Sequence, residues 1–136
     1  MRRQLLFFVL AGLTLTFVLA ACGGGGAASL DATEWVLTSL DGSSPLGNFS
    51  LSFADGQVSG QAGCNSYFGG FEQAGSSLSI PMIGMTEMFC MEPEGIMDQE
   101  SLYLGILSRG STFSVTGSQL RIESSDGAFL LFEVIE

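Results

Sequence analysis

A chain of 136 residues leaves room for one domain, and for no second, once a leader is removed. Its fourteen Asp and Glu face four arginines, two of them at the very start, and it has no lysine and no histidine. That balance excludes nucleic acid as a partner, because such binding needs neutralising cations. It also removes the side chains that most nucleophilic and acid–base sites rely on.

Arg2 and Arg3 precede an apolar run from Leu5 to Val18, and Leu19-Ala20-Ala21-Cys22 follows. A basic start, a short apolar core and small residues at the cut make residues 1–21 a secretory signal peptide. The run is short for a membrane span, which needs about 20 apolar residues. Leu19-Ala20-Ala21-Cys22 resembles a bacterial lipobox. The resemblance implies a diacylglyceryl group on Cys22, cleavage before it, and an acyl chain such as palmitate on the new amine. One chain anchors a protein only marginally, so stable attachment takes more than one. Residues 22–30 then read as a flexible tether, rich in glycine. The expected location is the cell envelope, lipid-anchored to a bacterial membrane. Gly23 rather than Asp after the cysteine implies the outer membrane where the source has two. The acidic domain is repelled by anionic headgroups, so the lipid does the anchoring.

The domain occupies residues 31–136. Trp35 to Leu40 reads as a first strand with Trp35, Leu37 and Ser39 on one face, and Asp41-Gly42-Ser43-Ser44-Pro45 is a turn cluster. Phe49-Ser50-Leu51-Ser52-Phe53 alternates as a half-buried strand does. Asp55-Gly56 turns it into Gln57 to Gly60, which makes a hairpin. Glycines at 60, 63, 69 and 70 punctuate the next stretch, where Tyr67, Phe68 and Phe71 supply aromatic bulk. Leu78-Ser79-Ile80 is a short strand stopped by Pro81, and Ile83 to Cys90 reads as extended.

A helix is predicted from about Pro93 to Ser108. Pro93 suits its first turn, and Glu92, Glu94 and Asp98 suit the positive end of its dipole. Ile96, Tyr103 and Leu107 form an apolar face with Met97 and Leu104 beside them. Gly110 fits the position just past the end. The last third is a meander: Thr112 to Thr116, Gln119 to Glu123, and Ala128 to Val134, joined at Gly117-Ser118 and Asp126-Gly127. The last run is apolar on both faces in part, which places it inside the sheet.

Several constellations invite chemistry. With Cys22 lipidated, Cys64 and Cys90 remain as an even pair in an oxidising compartment, which points to a disulfide. Buried free thiols, a metal pair and reactive thiols are the alternatives. A zinc site wants four ligands, and without histidine only distant carboxylates complete it. Met82, Met85, Met88 and Met91 recur at every third residue. Thioethers near a cysteine suit Cu(I), but on a strand that spacing sends alternate residues to opposite faces, and core packing is the usual role of methionine. The close acids Glu92/Glu94 and Asp98/Glu100 suggest a two-carboxylate enzyme, yet paired acids at a helix start are ordinarily surface residues. No catalytic residue, metal or cofactor is assigned.

Gly63-Cys64-Asn65 followed by Thr86-x-Met88-x-Cys90, together with Trp35, Phe53, Ser59-Gly60, Tyr67, Gly69 and Glu100, resembles the META domain, also called HslJ-like. The resemblance covers Trp35 to Val134. It implies an α+β fold, a largely antiparallel sheet of meander or half-barrel form with one main helix. It also implies an envelope lipoprotein tied to stress tolerance, with no established catalytic residues. The expected activity is non-catalytic binding of an envelope protein or an apolar ligand. The Gly60–Gly70 segment is the expected contact surface, with Asn65, Tyr67 and Phe68 as its candidates.

Overall fold

Alternation of apolar and polar residues builds most of this fold, which the computed structural model describes for residues 26–135. The expected signal peptide, Cys22 and the first part of the tether lie outside the described residues. β1 (Thr33–Leu40) buries Trp35, Leu37 and Leu40. Its register against the last strand shifts between Leu37 and Ser39. That bulge changes the phase of the strand, so Leu40 takes the inward place expected for Ser39. β2 (Ser50–Ala54) and β3 (Gln57–Gln61) form the expected hairpin, with Leu51, Phe53 and Val58 inside.

Four short strands follow: β4 (Ser66–Gly70), β5 (Glu72–Ala74), β6 (Ser77–Ser79) and β7 (Ile83–Met85). The stretch expected to run extended to Cys90 therefore leaves the sheet after Met85. α1 covers Ile96–Ser108, and β8 (Gly110–Thr116), β9 (Gln119–Ser124) and β10 (Phe129–Val134) form the expected meander. The helix starts later than Pro93 because Gly95 sits at φ 88, outside the helical basin, and acts as its N-cap. Gly110 begins β8 instead of capping the helix, and Arg109 holds the cap position.

The strands make one ten-stranded sheet in the order β5-β6-β8-β9-β10-β1-β2-β3-β4-β7. Every pairing is antiparallel. β10 lies in the middle, between β9 and β1, as its apolar run requires. β4 and β5 are separated by Phe71 alone, yet they stand ninth and first in the order. In a flat sheet eight strand spacings would part them by about 38 Å, whereas the two steps from Gly70 to Glu72 reach only about 7 Å. The sheet must therefore curl until β4 comes round towards β5, and it forms a half-barrel.

α1 fills the concave side. Tyr103 is fully buried, and its ring meets Phe49, Tyr67 and Phe132 edge-on at 5.2, 5.7 and 6.3 Å. Those three rings come from distant parts of the sheet, so one helical residue ties the curl together. Ile96, Ile106 and Leu107 complete the buried face, and Glu100 lies within it.

Candidate functional site

The site is built on the turn between β3 and β4. A Cβ at Gly60 would lie 1.9 Å from the Ser50 carbonyl oxygen, so only glycine lets β3 approach β2 this closely. Gly63 adopts φ 88, and a Cβ there would meet Ile96 at 2.7 Å and Phe49 at 2.9 Å. The backbone is thus pressed against the core, and Cys64 and Asn65 are carried inside, at 6% and 1% exposure.

Asn65 is a junction of five hydrogen-bonded groups. Its backbone N–H donates to Glu100 Oε2 at 2.6 Å, and its Nδ2 donates to Glu100 Oε1 at 2.8 Å and to the Met88 carbonyl at 3.0 Å. Its Oδ1 accepts from Thr86 Oγ1 and from the Met88 N–H, both at 2.7 Å. Its own carbonyl accepts from the Ala62 N–H. A single buried amide therefore joins the turn, the helix and the segment that follows β7. Among the described residues every buried side-chain nitrogen or oxygen has a partner.

The Cys64–Cys90 disulfide adds a covalent fixing point beside it, with 5.9 Å between the Cα atoms. Residues 86–91 thereby become a strap held at Thr86, Met88 and Cys90, which are alternate residues. That is the physical content of the Thr-x-Met-x-Cys spacing. Met88 is held by its backbone alone, and its side chain remains 56% exposed. Phe89 and Met91, between and beyond the fixed points, are 78% and 80% exposed.

Beneath lies a phenol pair. Tyr67 and Tyr103 share a hydrogen bond of 2.7 Å, and both hydroxyls reach the Ser50 carbonyl. Burial pushes both phenols above the ordinary tyrosine range. For Tyr67 the neighbouring Tyr103 raises it further, while at Tyr103 the hydrogen bond with Tyr67 offsets part of the rise.

The three residues expected to form a contact surface separate. Asn65 and Tyr67 are buried, which corrects their assignment: the Asn65 amide is fully engaged, and alternation along β4 turns Tyr67 into the core. Phe68 faces outward at 62% exposure and lies over Gly84, where a Cβ would sit 2.8 Å from its ring. The cysteines expected to pair do so. Glu100, expected as a surface acid alongside Asp98, is instead 2% exposed. Its signal was present: it stands four residues after Ile96 and three before Tyr103, on the apolar face. Sequence reasoning missed the strap as well, because Phe89 and Met91 look like core residues.

Beside the strap a cleft of about 380 Å³ is lined by Phe89, Met91, Ile96 and Met97, with Glu94 and Asp98 among its walls. Among the described residues no group of three or more His, Cys, Asp or Glu is placed to hold a metal ion, and no helix is long and apolar enough to cross a membrane.

A family model described as META domain matches residues 28–135. Two solved structures resemble the chain. The NMR structure of a protein from Burkholderia xenovorans is 27% identical with a TM-score of 0.65, over 78% of this chain and 83% of that one. A second NMR structure is 22% identical with a TM-score of 0.64, over 77% of this chain and 91% of that one, a likeness of fold alone. No curated protein matches the chain.

Proposed function

This chain belongs to the META domain family, and on that premise we propose that it is a lipid-anchored envelope protein whose domain acts by binding and not by turnover, in support of the envelope under stress. The anchoring half of the proposal rests on the lipobox-like Leu19-Ala20-Ala21-Cys22. The binding half rests on one observation. Among the described residues ten large apolar side chains are exposed, and six of them are Phe68, Met82, Met85, Met88, Phe89 and Met91. Scattered exposed apolar residues are ordinary, but six within residues 68–91 are a concentration that supports a contact surface in this part of the chain. The disulfide and Asn65 hold the strap ready, so little conformational freedom is lost on binding.

Two observations weigh against the other two readings. Both domain thiols are consumed by the disulfide, which leaves thioethers alone for Cu(I). Of the acids grouped near the helix, Glu100 is engaged by Asn65, while Glu92, Glu94 and Asp98 face solvent.

Two measurements test the proposal. Metabolic labelling with palmitate is expected to mark the wild-type chain and not Cys22→Ala; equal labelling would overturn the anchor. A photo-crosslinking phenylalanine analogue at position 89 of the full chain in living cells is expected to give a discrete adduct, and the same analogue at Val36 none. Turnover of a hydrolase substrate, abolished by changing Glu94 or Asp98, would replace binding with catalysis.

A further inference from the structure

Resting on the binding reading, we propose that the strap and its cleft receive a basic peptide segment, one in which one or two bulky apolar side chains are flanked by Lys or Arg. The apolar part of the argument is the cleft itself. Its volume of about 380 Å³ and its Phe89, Met91, Ile96 and Met97 walls fit one or two large side chains. Thioether side chains adapt to differently shaped apolar partners.

Charge chooses the partner. Glu87, Glu92, Glu94 and Asp98 all face solvent on or beside the strap. No lysine or arginine occurs between residues 4 and 108, so no cationic side chain of this segment pairs with them. The two domain arginines sit elsewhere, Arg109 facing Asp126 at 3.7 Å and Arg121 facing Glu123 at 3.0 Å. A second copy of the chain would bring an identical acidic rim against this one across a two-fold interface. An anionic bilayer surface would be repelled in the same way. A cationic segment with apolar anchors satisfies both halves of the surface, and electrostatic complementarity of this kind sets which partner is accepted.

The test uses the purified full chain and fluorescent eighteen-residue amphipathic peptides, one of leucine with lysine and one of leucine with glutamate, followed by polarisation. The lysine peptide is expected to bind at least tenfold more tightly than the glutamate peptide, and to weaken as salt is added. Phe89→Ser combined with Met91→Ser is expected to reduce lysine-peptide binding at least tenfold with an unchanged melting temperature. Glu94→Gln with Asp98→Asn is expected to reduce it several-fold and to flatten the salt dependence. Equal binding of the two peptides, both lost in the Phe89→Ser/Met91→Ser variant, would overturn the charge-based partner while leaving the binding reading intact. Binding of both peptides unaffected by that variant would overturn both. Preferential binding to phosphatidylglycerol vesicles, or a dimer in sedimentation that the same variant dissolves, would overturn the peptide in favour of a membrane or a second copy.

Discussion

The strap and the junction beneath it have exchanged the polarities usual for surface and core. Below, a carboxyl group and an amide sit at 2% and 1% exposure; above, Phe89 and Met91 stand at 78% and 80%. The two regions depend on each other. The strap follows β7 and precedes α1, so it has neither a sheet ladder nor helical bonds of its own. Beyond the Thr86 N–H, which still donates to the Ser66 carbonyl at 3.0 Å, what fixes it is the Asn65 amide, the Cys64–Cys90 bridge and a contact of the Cys90 N–H with Met97 Sδ at 3.5 Å. The comparison teaches that buried polarity is used here to hold apolar surface outward. A purely apolar junction would give the strap nothing directional to hang from, and its phenyl and thioether groups would collapse onto the core.

The largest blow to that arrangement is Asn65→Ala. It removes the Nδ2 donor from Glu100 Oε1 and both side-chain partners of the Met88 backbone, while the backbone N–H still reaches Glu100 Oε2, and a buried polar group left unsatisfied is costly. A loss of about 3–4 kcal/mol in urea denaturation is expected. The amide of Met88 should lose its protection from hydrogen exchange, while those of β9 and β10 keep theirs. A loss below about 1 kcal/mol would break the comparison, because the strap would then be held by something else.

Removal of the bridge comes next. Cys64→Ser with Cys90→Ser frees a loop with a sequence separation of 26, and the chain-entropy account gives a loss of about 3.5 kcal/mol. The wild-type domain, alkylated without reductant, is expected to show no label at either cysteine. Reductant should lower the wild-type unfolding midpoint and leave that of the double variant unmoved. An unchanged midpoint in the double variant would assign the whole holding role to Asn65.

How much of this was legible in the sequence follows from which residues signal through periodicity. The hairpin of β2 and β3 and the meander were, since Leu51/Phe53 and Leu120/Ile122 alternate in the expected phase, whereas β4 and β5 were not, since Gly69 and Gly70 interrupt the pattern. The disulfide was readable from the count of cysteines. The Thr38 bulge was not, because a phase change leaves no local mark in Trp35 to Leu40. The late start of α1 was not, because Pro93 and the acids describe a helix start equally well two or three residues upstream. The strap was hidden for a more general reason. Methionine and phenylalanine read as core in any sequence, and only the geometry of Asn65 places them outside. Glu100 was hidden by the converse expectation that an acid near a helix start faces water. Tyr67 and Phe68 look alike in composition, and only the phase of β4 separates them.

A smaller effect sharpens the comparison from below. The chain has two tyrosines, and both belong to the buried phenol pair. Their folded values are raised above the ordinary value of 10.0 by burial. Ionisation is thus favoured in the unfolded chain. Stability is fully present below about pH 10 and falls as the pH rises beyond it, by at most about 1.4 kcal/mol per pH unit for each tyrosine. Phenolate absorbance of the folded protein should stay flat through about pH 10, and both residues should titrate near their ordinary value in strong denaturant. One tyrosine ionising normally in the folded protein would mean that the floor beneath the strap is open to water.

The smallest expected change in stability is that of Phe68→Ala. Phe68 is 62% exposed and projects from the face of β4 opposite Tyr67. Its backbone pairing with Gly84 and Ser59 does not depend on the ring. Surface substitutions away from caps, strain and buried partners stay within about 0.5 kcal/mol, and that is the expected result by urea denaturation. The ring nevertheless covers Gly84, one residue before the edge strand ends and the strap begins. If the contact surface extends from the strap onto β4, Phe68→Ala lowers the yield of the adduct at position 89 with no change in melting temperature. If it destabilises by more than about 1 kcal/mol, the ring is structural cover for β7. The exposed region of the comparison then ends at Met85, and Phe89 and Met91 carry the contact without it.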